Sequence, residues 1–170
     1  MRKQAARRPG DWVYAIDPYF DPAGRVPGYG VIGAWKVDNR GRIEGAFVSN
    51  PKYRPSPRSL GFAAPADPVE NQIQLEYAGY ASRGDVCRSL ATSTVFLAPW
   101  LFERETLNDS NFFVAIYTSR MHVPGTMSDA QLTSVLDLIP KLPDGAILRV
   151  NPNSIPSVDL PVHDIKGCVE

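Results

Sequence analysis

Apolar and polar positions fall into short blocks along this chain, and the period changes from block to block. Residues 12–16, Trp-Val-Tyr-Ala-Ile, are a compact apolar run that predicts a short strand. Residues 17–30 are rich in Pro and Gly and predict a loop. Residues 31–37 are again apolar and β-prone. Asp38-Asn39-Arg40-Gly41 is a turn sequence in which Asn and Gly accept positive φ, and residues 43–48 supply the returning strand. Residues 31–48 are therefore expected to form a β-hairpin, with Trp35 and Phe47 as its large packing side chains. The next block, Asn50-Pro51-Lys52-Tyr53-Arg54-Pro55-Ser56-Pro57, excludes a central strand or a helix, because each proline lacks an N–H and pushes the preceding residue toward extended geometry. It reads as an extended, polyproline-like crossing, either clamped down by Tyr53 or displayed to a partner.

Helical signals begin at Asp67-Pro68-Val69-Glu70. Asp67 can cap, Pro68 fits the first turn and Glu70 has capping-box spacing. Val69, Ile73 and Tyr77 follow at i, i+4 and i+8, and Gly79 suits the stop. Ser82 with Asp85 marks a second start, with Val86, Cys87, Leu90 and Ala91 as the apolar side. Residues 94–98 and 112–117 predict strands, the latter nearly continuous in apolar residues, as suits burial on both faces. Ser128 with Gln131 predicts a further helix whose stripe is Leu132, Val135, Leu136 and Ile139, ended by Pro140. Residues 146–150 predict a strand, Asn151-Pro152-Asn153-Ser154 a turn, and residues 160–165 a short edge strand. This mixture predicts an α+β fold: an N-terminal β-hairpin arm packed on an α/β C-terminal half with a mixed sheet. The expected segments are a flexible basic tail over 1–11, a hairpin and Pro-rich segment over 12–66, and helices plus a β-β-α-β region over 67–170. Residues 12–166 are expected to co-fold as one domain, because a lone hairpin and a proline-rich crossing bury too little.

Composition changes this picture only by exclusion. The 170 residues carry 18 Lys+Arg against 18 Asp+Glu. A net charge of zero argues against a dedicated nucleic-acid binder. No run approaches the roughly 18 apolar residues of a membrane span. Arg2, Lys3, Arg7 and Arg8 are followed by Pro9-Gly10-Asp11 rather than an apolar run, so a secretory signal is not expected. Cys87 and Cys168 form neither a disulfide framework nor a CxxC pair, and reduced thiols are expected.

The candidate chemistry is sparse. Gly28-Tyr29-Gly30-Val31-Ile32-Gly33 fits G-x-G-x-x-G, but a loop precedes it and a strand follows, the reverse of a dinucleotide site. Asp17 and Asp21 each precede a proline, which favours turn capping over a metal or acid–base role. His122 and His163 belong to no ligand spacing. Ser119 lies in no nucleophile elbow, and a Ser119–His163–Asp159 triad has no support from spacing. No catalytic, cofactor-binding or metal residue is assigned, no cofactor is expected, and a binding module is favoured over an enzyme.

Three blocks in the C-terminal half carry a resemblance. Residues 89–99 (Ser-Leu-Ala-Thr-Ser-Thr-Val-Phe-Leu-Ala-Pro), residues 113–119 (Phe-Val-Ala-Ile-Tyr-Thr-Ser) and residues 142–154 (Leu-Pro-Asp-Gly-Ala-Ile-Leu-Arg-Val-Asn-Pro-Asn-Ser) resemble SseB-type domains in order and spacing. Gly33-Ala34-Trp35-Lys36-Val37-Asp38, the Asn50–Pro57 block, Leu60-Gly61, Asp67-Pro68-Val69-Glu70 and Gly79-Tyr80 resemble the actinobacterial type VII secretion system-associated proteins. The resemblance implies a cytoplasmic, non-enzymatic accessory module that binds a protein partner, either a secretion component or an export substrate. An immunity protein that neutralises a toxin exported by the same locus is the alternative. A site assembled from Asp17, Asp21, His122 and His163 would instead indicate an enzyme. Residues 100–111 match no family pattern and are expected to be a specificity loop. The residues selected for partner binding are Tyr53, Trp100 and Phe102, since aromatic side chains dominate interface energetics.

Overall fold

The computed structural model describes residues 2–98 and 112–168. They form an α+β fold. The chain divides into two compact units, residues 1–63 and 64–170.

The N-terminal unit is built on an antiparallel sheet of order β1-β2-β3, with β1 Trp12–Ile16, β2 Val31–Val37 and β3 Ile43–Ser49. The expected hairpin is β2-β3. Its turn is held by Asp38, whose Oδ1 accepts the N–H groups of Arg40 and Arg42 at 2.9 and 2.7 Å, and by Gly41 at φ 76°. Trp35 and Phe47 pack on each other with centroids 4.5 Å apart. Gly33 is required beneath them: a Cβ there would meet the Phe47 ring at 2.3 Å and the Val48 carbonyl at 2.4 Å. The hairpin does not stand alone, because β1 pairs along β2 from Trp12↔Lys36 to Ile16↔Val31.

The first eleven residues differ from the expected free tail. Arg2–Ala5 makes one helical turn, α1, and Ala5 is buried with Val13 and Val37. Gly10 N–H donates to the Asp38 carbonyl, and Val37 N–H to the Asp11 carbonyl. A small buried alanine and two ladder-like hydrogen bonds tie down a segment whose charges alone suggested solvation.

The C-terminal unit opens with α2, Pro68–Tyr77, and α3, Arg83–Ala91. Both start where the capping residues placed them. Ser82 and Asp85 exchange backbone and side-chain hydrogen bonds as a full capping box. Ser82→Ala is expected to cost about 1 kcal/mol, read as a lowered urea midpoint with unchanged m-value. The apolar side of α3 is as expected, with Val86, Cys87, Leu90 and Ala91 all buried. On α2 the pattern differs: Val69 and Ile73 are buried, Tyr77 is exposed and the polar Gln74 is buried instead.

The strands follow: β4 Thr94–Leu97, β5 Phe113–Ile116, β6 Gln131–Ser134, β7 Ile147–Val150 and β8 Val158–Pro161. β4 pairs antiparallel with β6. β5 runs parallel to β7, which pairs antiparallel with β8. A reciprocal backbone bridge between Phe96 and Tyr117 links the two ladders. The sheet is thus mixed, and the parallel β5–β7 pair uses the chain between them as its crossover.

Three expectations are corrected here. The helix expected from Ser128 is strand β6, followed by one helical turn, α4 Val135–Leu138. β6 satisfies its backbone by pairing with β4 from Leu97↔Gln131 to Thr94↔Ser134, which overrides a local capping signal. Leu132 and Leu136 are exposed, while Val135, Leu138 and Ile139 enter the core. β5 is not buried on both faces: Val114 and Ile116 are buried, whereas Phe113 is exposed with the Arg149 guanidinium 4.3 Å from its ring centroid. Residues 162–166 form helix α5, Val162–Lys166, rather than continuing an edge strand.

Candidate functional site

Two polar clusters stand out, one in each unit. In the N-terminal unit Asp17 is fully buried. Its Oδ1 accepts Tyr19 N–H at 2.9 Å and Ser56 Oγ–H at 2.5 Å. Its Oδ2 accepts Tyr53 Oη–H at 2.7 Å, Ser59 Oγ–H at 2.8 Å and Ser56 N–H at 3.1 Å. Burial pushes this carboxyl up, but the bonds from Ser56, Tyr19 and Tyr53 together outweigh it and lower the pKa to about 2. Asp17 therefore does more than cap a turn: it fastens the proline-rich segment. Asp21 remains a turn residue, accepting Ala23 N–H at 2.9 Å. The Tyr53 hydroxyl, selected above for a partner, is committed to Asp17. Trp100 and Phe102 lie outside the described residues. The glycine motif is a 3-10 turn over Gly28–Gly30 that runs straight into β2, with Gly30 against the Phe20 ring.

The second cluster lies in the C-terminal unit, where three sequence blocks meet. Asp67 caps α2: its Oδ1 accepts Val69 N–H and Glu70 N–H, both at 2.9 Å. Its Oδ2 accepts Thr118 Oγ1–H at 2.6 Å. Thr118 follows β5. It is gripped by Asn151 after β7, which accepts Thr118 N–H on Oδ1 and donates Nδ2–H to Thr118 Oγ1, each at 2.9 Å. Asn151 is buried at φ 51°, a left-handed conformation that Asn tolerates better than most residues.

Beside this frame His122 bridges two elements. Its Nε2 faces Glu70 Oε2 at 3.2 Å and its Nδ1 faces Ser154 Oγ at 2.9 Å. Glu70 Oε2 also accepts Ala66 N–H at 2.6 Å. His122 and Glu70 are mostly buried, with side chains 14% and 13% exposed. One ligating atom each from Asp67, Glu70 and His122 can be chosen so that all lie within 4.8 Å of one another, and they form a donor set suited to a divalent cation. The neighbours of the two polar residues are different: Met121 and Ile155 are each 84% exposed.

Within the C-terminal unit, Ser119, His163 and Asp159 do not come together. Ser119 Oγ accepts Met121 N–H, His163 faces Asp164 at 2.9 Å, and Asp159 is held by Arg149 through two 2.9 Å hydrogen bonds. The Ser119–His163–Asp159 triad is therefore not formed, and Asp17, Asp21, His122 and His163 have separate partners. Burial, then the neighbouring Cys168, pushes the Cys87 thiol up to about 11, which suits a core residue rather than a nucleophile. Sequence reasoning passed over Glu70, Thr118, Asn151 and Ser154 as caps and turns. The available signal was the place of Thr118 at a strand end and of Asn151 and Ser154 in the turn after residues 146–150, with Glu70 at a helix start. Among the described residues no helix is long and apolar enough to cross a membrane. Comparison with known proteins returned no matching family model, no matching curated protein and no matching solved structure.

Proposed function

We propose that this chain is a non-enzymatic, cytoplasmic protein-interaction module accessory to type VII secretion, and that it docks a protein partner on the loops around His122 and Ser154. The observation that carries the reading is the exposure of Met121 and Ile155 beside a hydrogen-bonded polar frame. Large apolar side chains exposed on loops that are already cross-linked present area to a partner with little ordering cost. Among the described residues no buried side-chain nitrogen or oxygen lacks a partner, so that frame is internally satisfied. Methionine suits such a surface because its unbranched side chain adapts to different partners. The link to secretion and to the cytoplasm rests on the resemblance of the sequence blocks.

The test is an affinity capture from native lysate at low salt, with wild type and the Met121→Asp/Ile155→Asp double variant compared by quantitative mass spectrometry. The secretion ATPase, a membrane-core subunit or a small helical export substrate is expected with wild type, depleted at least about tenfold by the variant, which corresponds to about 1.4 kcal/mol. Equal recovery by both proteins would remove this surface from the reading. Recovery of one toxin, with growth rescue by this protein, would replace the accessory role by immunity.

A further inference from the structure

The geometry points to a divalent-cation site formed by Asp67, Glu70 and His122, of the first-row transition-metal class, for which Zn²⁺ is the probe. Its donors come from two segments 52 residues apart in the pairing of His122 with Glu70, so this is more than an acidic helix start. The third donor is an imidazole, the commonest protein ligand for such ions.

The spacing, at the long end of the ordinary N–H···O range of about 2.7–3.2 Å, also fits a shared ion. Charge-assisted N–H···O bonds run at about 2.7–2.9 Å. The 3.2 Å separation of His122 Nε2 and Glu70 Oε2 is longer than that. It is close to the distance of about 3.3 Å between two donors bound at about 2.0–2.1 Å to one tetrahedral ion. Asp67 completes the triangle within 4.8 Å. Its Oδ2 accepts one hydrogen bond, from Thr118, and keeps a second lone pair. Glu70 Oε1 receives Gln74 Nε2 at 3.5 Å, a weak contact that a metal can replace.

The surroundings match what a ligating histidine needs. Ser154 Oγ lies 2.9 Å from Nδ1, where it can accept the Nδ1–H and leave the Nε2 lone pair toward the carboxylates. Thr118 and Asn151 orient Asp67 in the same way. No lysine or arginine among the described residues pairs with either carboxylate, and the one described Arg beside the His122 loop, Arg120, is turned to the carbonyls of Ser128 and Ala130. Two carboxylates beside a single imidazole make a donor set that a cation can balance. Three protein donors leave a coordination position open to water or to a donor from a bound molecule.

The test is calorimetric titration of the untagged, chelator-treated full chain with Zn²⁺, followed by the Co²⁺ visible spectrum and ¹⁵N–¹H correlations of the His122 ring. One ion per chain is expected, with Nδ1 protonated and Nε2 shifted by the metal, and with no thiolate-to-cobalt band. Glu70→Gln and His122→Ala are expected to abolish stoichiometric binding. Ser154→Ala, which keeps all three ligands, is expected to weaken it about 10–100-fold. Far-UV circular dichroism of each variant establishes that it is folded, and Ser154→Ala decides the matter should either ligand variant fail to fold. Wild-type binding weaker than about 100 μM, binding unchanged by Ser154→Ala, or a thiolate band would each overturn the site.

Discussion

Asp17→Ala is expected to destabilise the N-terminal unit by about 3–5 kcal/mol. That loss is comparable to the whole stability of a unit of this size. The reason lies in the donors the carboxylate satisfies. Tyr53, Ser56 and Ser59 hydroxyls can rotate toward other acceptors, but the N–H groups of Tyr19 and Ser56 are fixed by the backbone. Alanine leaves both without their partner, the Ser56 N–H in a buried place and the Tyr19 N–H in a partly buried one. Asparagine is expected to cost less, about 1–3 kcal/mol. Its oxygen can serve Tyr19 and Ser56 Oγ, and Tyr53 and Ser59 can turn to accept from its amide, leaving one conflict with Ser56 N–H.

The same group dictates a pH dependence. The folded pKa of Asp17, about 2, lies below its ordinary value of 3.8. The folded state therefore binds the proton more weakly than the unfolded state. Its contribution, about 2 kcal/mol by linkage, is fully present above pH 4 and is lost as pH falls toward 2. Urea unfolding at pH 7 and at pH 2.5, followed by fluorescence of Trp12 and Trp35 in a Trp100→Phe background, checks this. The acid loss seen in the parent at pH 2.5 should shrink by about 1.6 kcal/mol, the part of the linkage already lost there, in Asp17→Asn. An identical acid loss in both proteins would show that Asp17 is not the linked group.

What could be read from the chain follows the range of each signal. The turn at Asp38–Gly41 and the caps at Asp67 and Ser82 act within four residues, so their chemistry is visible locally, and the structure forms all three. The strand at residues 131–134 is different. Ser128 and Gln131 have helix-start spacing, but the backbone of β6 is satisfied by β4, more than 30 residues earlier, and nothing local announces that partner. Phe113 likewise looks like core by composition. Its exposure is decided by strand alternation and by Arg149 on the neighbouring strand β7, which stacks on its ring.

The candidate site shows the same division. Asp67 and Glu70 were legible as a helix start, and that reading is correct as far as it goes. Their second role appears only when the end of β5 and the end of β7 arrive beside α2. Parallel pairing of these strands puts Thr118 and Asn151 at the same end of the sheet, with Asn151 N–H bonded to the Ile116 carbonyl at 2.9 Å. His122 follows Thr118 by four residues and Ser154 follows Asn151 by three, so the topology brings them together. A search for ligand spacing along the sequence cannot see this, because the spacing that matters is between strand ends. The Asp17 hub escaped for the same reason: Ser56 and Ser59 lie about 40 residues beyond it in a proline-rich segment that looked merely extended.

Asn151→Ala is expected to be the most damaging change in the C-terminal cluster, at about 3–5 kcal/mol, and two separable causes contribute. One is the bracket around Thr118: losing the amide removes two 2.9 Å hydrogen bonds and leaves Thr118 N–H unsatisfied in a partly buried place. The other is the backbone, since a residue at φ 51° that is neither Gly, Asn nor Asp costs about 1–2 kcal/mol. Asn151→Gly keeps the first cause, the lost amide, and removes the second, so its loss should be smaller than that of alanine despite glycine's greater unfolded-state freedom. Urea midpoints of the two variants separate the terms. If glycine is the worse of the two, the backbone strain relieved is smaller than glycine's unfolded-state cost of about 0.5–1 kcal/mol, and the amide bracket carries most of the effect. Thr118→Ala keeps the N–H bond to Asn151 and loses the hydroxyl that donates to Asp67 and accepts from Asn151 Nδ2, and is expected to cost about 1–3 kcal/mol. Thr118→Ala releases Asp67 Oδ2 from its anchor, and Asn151→Gly removes the amide that holds that anchor, while both leave Asp67, Glu70 and His122 in the chain. A frame that serves only the fold predicts lost stability with unchanged Zn²⁺ affinity, whereas a frame that also orients a ligand predicts that affinity falls in both variants, and further in Thr118→Ala, which removes the bond to Asp67 itself.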